Sequence, residues 1–288
     1  MEHCDILIIG AGAAGLAAAE AAWNAGCNNI LLVDRKSSPG GILLQCRHRG
    51  FGAGLDGPEY IEKLTADFPK EIRYLPDTTV VSLSENREAL LKSPLFGEKN
   101  VAFDQLILAT GCLEIPMGAL PIAGTRPQGI YTAGQMQAMM NLYGYRPDGP
   151  VVILGSGDIG LVMARQLSEL GLSVSVIEQK AICGGLSRNR SCISQYNIPV
   201  FCNSTITEVR GSLRLEAVIL SDGRMLPCKT LLIAVGLVPE RELIADLAGA
   251  DWLHLCGNCR TVHPMVETVV YEGTQAGLAA CRNIRGAI

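Results

Sequence analysis

Two short glycine runs in this chain have the residue types and spacing needed to hold a diphosphate. The first is Gly10-Ala11-Gly12-Ala13-Ala14-Gly15 and the second Gly155-Ser156-Gly157-Asp158-Ile159-Gly160. A Gly-x-Gly-x-x-Gly run serves an anion where it turns a strand into a helix, because the first turn of a helix leaves N–H groups without intrahelical partners. Gly10 or Gly155 then permits the tight turn, and Gly12 or Gly157 lets the backbone approach a pyrophosphate. Gly15 or Gly160 lets helix and sheet pack closely. Each run is followed by an acid: Asp34 comes nineteen residues after Gly15, and Glu178 eighteen after Gly160. A carboxylate at that place accepts hydrogen bonds from ribose hydroxyls. A lone glycine run is weak evidence, since glycine turns are common. A run set between strand and helix, with an acid closing the next strand, is far more specific. Reading both as ligand-free turns would leave both acids as coincidences.

The elements that must position these residues are legible around them. Asp5-Ile6-Leu7-Ile8-Ile9 reads as a buried strand, and an Ala-rich helix runs from the first glycines to about Ala25. Ile30-Leu31-Leu32-Val33 is the next strand, ending at Asp34. In the second unit Val151-Val152-Ile153-Leu154 leads into the glycines, and a helix runs to about Leu170 with Gly171 as its C-cap. Ser173-Val174-Ser175-Val176-Ile177 then ends at Glu178. The expected fold class is α/β, with two Rossmann-like doubly wound dinucleotide-binding domains. No internal repeat beyond the two βαβ cradles is apparent.

Composition agrees with that class. Apolar residues make up 48% of the 288, aromatics only 5%, and 32 glycines are present, which suits an Ala/Val/Leu/Ile-packed α/β protein. A chain of this length buries roughly 75% of the surface its unfolded form exposes, so no disulfide staples are required. The formal net charge of −4, with no basic stripe, excludes an electrostatic nucleic-acid binder. Met1-Glu2-His3-Cys4-Asp5 runs straight into a strand pattern without a basic leader, and the apolar stretch Leu16 to Trp23 is interrupted by Glu20 and too short for a bilayer. Eleven cysteines without an export signal point to reduced thiols. The expectation is a soluble cytoplasmic protein without membrane insertion.

Two cradles with Ala109-Thr110-Gly111 between them resemble the two-dinucleotide-binding-domain flavoproteins of the pyridine nucleotide-disulfide oxidoreductase superfamily. The resemblance covers nearly the whole chain. It implies FAD on the N-terminal cradle and a nicotinamide cofactor on the second, in a domain inserted into the first. The implied boundaries are 1–118 and 236–288 for the FAD-binding domain and 119–235 for the NAD(P)-binding domain. Pro116, Pro121 and Pro127 populate the first crossing as a linker would, and Leu231-Leu232-Ile233-Ala234-Val235-Gly236 would be the returning strand. Implied FAD contacts are Gly10, Gly12, Ala14, Gly15, Asp34, Gly41, Val80, Thr110, Gly111, Gly257 and Asn258, with Asn258 standing where the family has Asp. Implied NAD contacts are Gly155, Gly157, Asp158, Ile159, Gly160, Glu178 and Gly236. The helix from about Val266 to Ile284 would point its N-terminus at the flavin, where its dipole favours the negative charge of the reduced ring. Glu178 would repel a 2′-phosphate, with Lys180 softening the effect, so NAD(H) is expected over NADP(H).

A narrower resemblance rests on the segment Gly40 to Gly52 and on Gly57-Pro58-Glu59-Tyr60, Gly129-Ile130-Tyr131-Thr132-Ala133-Gly134 and Gly155 to Gly160. These are similar to FAD subunits found with anaerobic glycerol-3-phosphate-dehydrogenase-like proteins, hydrogen cyanide synthase and opine oxidase. The stretches between Phe51 and Gly57, and between Leu247 and Cys256, are shorter than in those subunits. The implied partners are a larger FAD-dependent dehydrogenase subunit and a small cysteine-rich electron-transfer protein. The dithiols of thioredoxin reductases and of the larger disulfide reductases have no counterpart here: Tyr131 to Gln135 holds no cysteine, Cys46 stands alone, and Cys183 and Cys192 fit neither pattern.

Cys256-Gly257-Asn258-Cys259, with His254 and His263 nearby, mimics a zinc cluster or a redox pair. Free thiols beside the FAD are the simpler reading, and no metal is expected. Cys46, His48 and His263 are the catalytic candidates, as groups at the flavin edge that would tune it or transfer a proton. A packed Cys46, a loop-capping His48 and a solvent-facing His263 are the alternatives. Electrons are expected to pass by way of FAD between NAD(H) and a partner subunit or acceptor. The competing readings are a self-contained reductase or oxidase of a small substrate and a non-catalytic FAD-bearing scaffold.

Overall fold

A computed structural model describes residues 1–247 and 249–286. Of the expected FAD-domain span, 248, 287 and 288 lie outside the described residues. The chain divides into two compact units, Met1–Leu113 with Val238–Ile288, and Glu114–Leu237.

In the first unit Ile6, Leu7 and Ile8 are fully buried, so Glu2–Ile9 is covered on both faces, as the centre of a parallel sheet requires. It pairs in parallel with Ile30–Val33 on one side and with Gly97–Leu108 on the other. Arg73–Leu75 extends the sheet beyond Ile30–Val33. The long strand Gly97–Leu108 is shared along its other edge. Its first half pairs antiparallel with Glu88–Ser93, and its last residues pair in parallel with Leu253–Leu255.

Helix Ala13–Asn24 is buried nearly all round, which small side chains permit. Helix Val266–Gly286 buries Gly273, Ala276, Gly277, Ala280 and Cys281, an i, i+3, i+4, i+7, i+8 stripe. The two helices touch through backbone. A Cβ on Gly273 would lie 2.2 Å from the Ala14 carbonyl oxygen, and one on Gly277 would lie 2.2 Å from that of Ala18.

The second unit repeats this plan. Val151–Leu154 pairs in parallel with Val174–Ile177 and Thr230–Ile233, and these with Val200–Phe201 and Ile130–Thr132. An antiparallel meander of Ile206–Gly211, Leu215–Leu220 and Met225–Pro227 packs beside it. The proline-bearing stretch expected as a linker is part of this unit. Met117 and Ile122 are buried in its core, and Ala123–Gly124 pairs with Ile206–Gly211. The division falls at 113/114 and 237/238, beside the expected 118/119 and 235/236. Among the described residues, no helix is long and apolar enough to cross a membrane.

Candidate functional site: two glycine cradles

The first cradle is a strand-to-helix turn in which steric space dictates two of the three glycines. Gly10 has φ +104°, and a Cβ there would meet the Ala109 carbonyl oxygen at 2.4 Å. A Cβ on Gly15 would lie 1.8 Å from the Gly10 oxygen, whereas around Gly12 nothing comes within 4 Å. Gly12 is therefore the open face of the turn. Asp34, nearly buried, is held by main-chain donors: the Ala11 N–H gives to Oδ2 at 2.7 Å and the Lys36 N–H to Oδ1 at 2.8 Å. The next segment folds back over the turn. The Gly40 N–H donates to the Ala11 oxygen at 2.7 Å, and Gly41, with φ +58°, would bring a Cβ to 3.1 Å from Gly12 Cα.

Other residues expected at FAD lie in the same unit. Thr110 Oγ1 donates to the Glu240 oxygen at 2.7 Å, and the Gly111 oxygen accepts from the Glu240 N–H at 3.0 Å. Gly111 itself has φ +82° and open space where a Cβ would stand. Ala14 lies against Gly257, whose Cβ would come to 2.8 Å from that of Ala14. Val80 pairs antiparallel with Leu91 and packs against the buried cluster that contains it, two residues after Thr78, whose N–H donates to the Asp34 main-chain oxygen at 2.8 Å.

Glu272, on the last helix, organises the segment after Leu255. It accepts the Gly257 N–H at 2.9 Å and lies 3.3 Å from Arg260 Nη1 and 3.1 Å from His263 Nε2. Asn258 Oδ1 accepts the His263 N–H at 3.0 Å, and its Nδ2 reaches Cys112 Sγ at 3.7 Å. The cysteine–histidine group does not converge. His254 Nε2 lies 2.8 Å from Gln105 Oε1, while Cys259 Sγ donates to the Leu108 oxygen at 3.0 Å. Burial pushes the Cys256 and Cys259 thiols up and His254 down.

Of the three catalytic candidates, Cys46 is buried, donates to the Ile42 oxygen at 3.4 Å, and is pushed up to about 12 by burial. A thiol so placed is neutral at physiological pH, which disfavours it as a nucleophile. His48 is half-buried, its ring tilted against Phe51 at 5.1 Å. His263 stands on a different segment, and Gly52 N–H to Glu267 Oε1, 3.1 Å, links the His48 loop to the start of the last helix.

The second cradle repeats the first. Gly155 has φ +104° with a Cβ 2.3 Å from the Ala234 oxygen, and Gly160 would come 2.3 Å from the Gly155 oxygen. Gly157 again faces open space. Glu178, also buried, takes the Ser156 N–H on Oε2 at 3.0 Å and the Lys180 N–H on Oε1 at 2.8 Å, and in addition the Ser156 hydroxyl. Burial works most strongly against its charge. The bonds from the Ser156 hydroxyl and the two N–H groups, with the nearby Lys180, outweigh it and hold the carboxyl below the usual range. Asp158 Oδ1 accepts the Leu186 N–H at 2.8 Å and Asn189 Nδ2 at 2.6 Å. Ile159 packs against the unit's core, and the Gly236 oxygen accepts the Ile115 N–H at 3.1 Å.

The repeat runs further than the two cradles, which corrects the sequence expectation. Asp34, Lys36, Gly40 and Gly41 match Glu178, Lys180, Gly184 and Gly185 at equal spacing. Asp77 and Asn203, both left-handed at φ 47° and 50°, donate their N–H to the Lys36 and Lys180 oxygens. Gly40 opens the segment Gly40 to Gly52 and Ser156 lies inside the second glycine run, whereas Gly184 and Glu272 carry no motif of their own. The equal offset from acid to Gly-Gly was the available signal for Gly184.

Both turns fit a dinucleotide on steric grounds. Neither cradle helix has a side-chain cap, whereas helices Gly57–Leu64 and Ala133–Tyr143 are capped by Asp56 and Thr132. Uncapped N–H groups beside an open glycine favour an anion. A buried, hydrogen-bonded carboxylate one strand over suits a ribose diol. Together, the repeated turns define a dinucleotide-binding protein of the two-cradle class. Residues 4–255 match the pyridine nucleotide-disulphide oxidoreductase family. The chain belongs to that family, and so to the FAD/NAD(P)-dependent oxidoreductases. It is 31% identical over 206 residues to the alpha subunit of the sarcosine oxidase of Rhizobium meliloti, covering 63% of this chain and 20% of that one. It is 28% identical over 280 residues to one of the subunits of the opine oxidase of Agrobacterium tumefaciens, covering 86% and 55%. This chain thus spans about half or less of the length of these relatives. Its fold is similar to that of Lactococcus lactis thioredoxin reductase, with TM-score 0.79 at 20% identity over 98% of this chain and 99% of that one.

Proposed function

We propose that this chain is an electron-transfer flavoprotein. In this reading Met1–Leu113 with Val238–Ile288 binds FAD, Glu114–Leu237 binds NAD(H), and electrons pass between NAD(H) and a partner subunit. The observation that carries the reading is the twinned cradle: two open glycines, Gly12 and Gly157, each beside a buried acid held by main-chain N–H groups.

Asp34 would take the adenosine ribose of FAD, Gly12 and Gly41 its diphosphate, and Gly257 and Asn258 the flavin end. Glu178 would take the ribose of NAD(H), and Gly157 its diphosphate. Bound FAD supplies two-electron exchange with a nicotinamide and onward transfer, so the protein contributes position and electrostatics and needs no nucleophile of its own. The high-lying Cys46, Cys256 and Cys259 thiols support a route without a dithiol. Glu178, charged and pinned, favours NAD(H) over NADP(H).

The partner reading is supported by relatives that are themselves subunits of oxidases. The expected partners are a larger FAD-dependent dehydrogenase subunit and a small cysteine-rich electron carrier, all in the cytoplasm. The test is to purify the chain alone and with its co-expressed neighbours, then assay glycerol-3-phosphate, amines and amino acids with an artificial acceptor. Turnover is expected for the assembly and not for the chain alone. High turnover of one such substrate by the isolated chain would contradict the reading.

A further inference from the structure

The second cradle differs from the first at three side chains, and two of the differences lead to the same loop. Where the first cradle has Ala11 and Ala13, the second has Ser156 and Asp158. We infer that Ser156 is a positioning residue that ties the ribose-reading acid Glu178 to the Gly184-Gly185 loop, and that this tie sets selectivity between an unphosphorylated and a 2′-phosphorylated adenosine ribose. The inference rests on the reading of the second cradle as the NAD(H) site.

Ser156 is fully buried, and its single hydroxyl is used in both directions. It donates to Glu178 Oε2 and accepts the Gly184 N–H at 2.7 Å. With the N–H groups of Ser156 and Lys180, the Glu178 carboxylate is held at three points, so a rotation that frees one oxygen breaks several bonds together. The loop has a second anchor of the same origin, since Asp158 Oδ1 holds the Leu186 N–H and Asn189 Nδ2. The first cradle is the internal comparison. There the Gly40 N–H reaches a main-chain oxygen, that of Ala11, and Asp34 has its two main-chain donors without a hydroxyl.

Selectivity follows from which charges a 2′-phosphate would meet. Lys180, Arg188 and Arg190 are exposed on the segment that follows Glu178. A carboxylate free to turn away would leave those cations to receive the phosphate. A carboxylate pinned by Ser156 stays in place and repels it. Selectivity of this kind is a difference between two affinities and is lost when the repulsive element becomes mobile.

The test uses the full, flavin-loaded chain and calorimetric binding of ADP-ribose and its 2′-phosphorylated form, beside the rate of flavin reduction. The wild type is expected to bind ADP-ribose at least ~10-fold more tightly than the 2′-phosphate, and Ser156→Ala to bring the two within ~3-fold. Ser156→Thr, which keeps a hydroxyl, is expected to hold the wild-type ratio. For NADH, Ser156→Ala is expected to raise KM while the rate of flavin reduction at saturation changes less than ~2-fold, the pattern of lost uniform binding. If Ser156→Ala does not fold, Ser156→Cys removes the strong donor and serves in its place. A folded Ser156→Ala or Ser156→Cys with the wild-type ratio would overturn the inference while leaving the NAD(H) reading intact. A wild type that binds neither ligand, or prefers the 2′-phosphate, would overturn the reading beneath it and the inference together.

Discussion

Asp34 and Glu178 occupy the same place in two repeated units: each closes a second parallel strand and takes one N–H from the glycine turn and one from two residues onward. Donors at 2.7 and 2.8 Å for Asp34, and at 3.0 and 2.8 Å for Glu178, give the two acids the same main-chain anchorage, to which the Ser156 hydroxyl adds a third point at Glu178. Charge-assisted bonds of this type contribute on the order of 1.5–3 kcal/mol each. Asp34→Ala is therefore expected to lower FAD affinity by at least ~10-fold, measured as flavin retained through gel filtration.

Glu178 gives a prediction about cofactor choice. A unit charge ~4 Å away at an effective dielectric near 20 is worth about 4 kcal/mol before screening. NADH is expected to reduce the flavin in preference to NADPH, and Glu178→Gln to narrow the gap. Equal use of both by the wild type would show that this acid does not face the 2′ position.

The pH dependence has a definite sign. The fold holds the Glu178 carboxyl below its ordinary value, so it favours the charged form. That contribution is fully present above the ordinary value of about 4.3 and is lost as pH falls through the lowered folded one. ADP-ribose affinity is expected to stay flat from neutrality to about pH 5 and to fall only in stronger acid, and Glu178→Gln to remove that acid limb.

Thiol reactivity tests the route without a dithiol. Cys46, Cys256 and Cys259 are buried and pushed up, whereas Cys183 and Cys202 are half-buried. Alkylation of the native protein, mapped by mass spectrometry, is expected to label Cys183 and Cys202 first. Flavin reduction by NADH is expected to survive that labelling. Fast labelling of Cys256 and Cys259 with loss of electron transfer would point to a working dithiol.

The helix contact beneath the first cradle is a packing prediction. A Cβ on Gly277 would sit 2.2 Å from the Ala18 oxygen, so Gly277→Val must push the two helices apart. Overpacking costs typically 1–3 kcal/mol, and collision with backbone puts this case at about 3 kcal/mol. Calorimetry is expected to show a clear fall in Tm together with weaker FAD retention. Gly286→Ala, whose Cβ meets nothing within 4 Å, is the neutral control.

Much of the fold was legible because the glycine turns demand particular residues: only glycine fits at Gly10 and Gly155, and the flanking strands are apolar on both faces. The crossing was harder. Pro116 and Pro121 read as a linker, but Met117 and Ile122 beside them are buried in the second unit's core, and that is a tertiary contact. Ser156 and Glu272 were missed for a related reason. Their importance lies in partners at distant positions, Gly184 and Gly257, and a serine or glutamate carries no local signal of where its oxygen points. The three catalytic candidates came from residue type and the family resemblance, and the depth of Cys46 emerges only from packing.

The central claim, that one cradle holds FAD and the other NAD(H), is tested most directly by anaerobic titration of the purified chain with NADH, followed through the flavin absorbance. The expected result is a yellow protein with about one FAD per chain, bleached stoichiometrically by NADH. A protein that cannot be loaded with FAD would contradict the reading of the first cradle, and a loaded protein that NADH leaves oxidised would contradict that of the second.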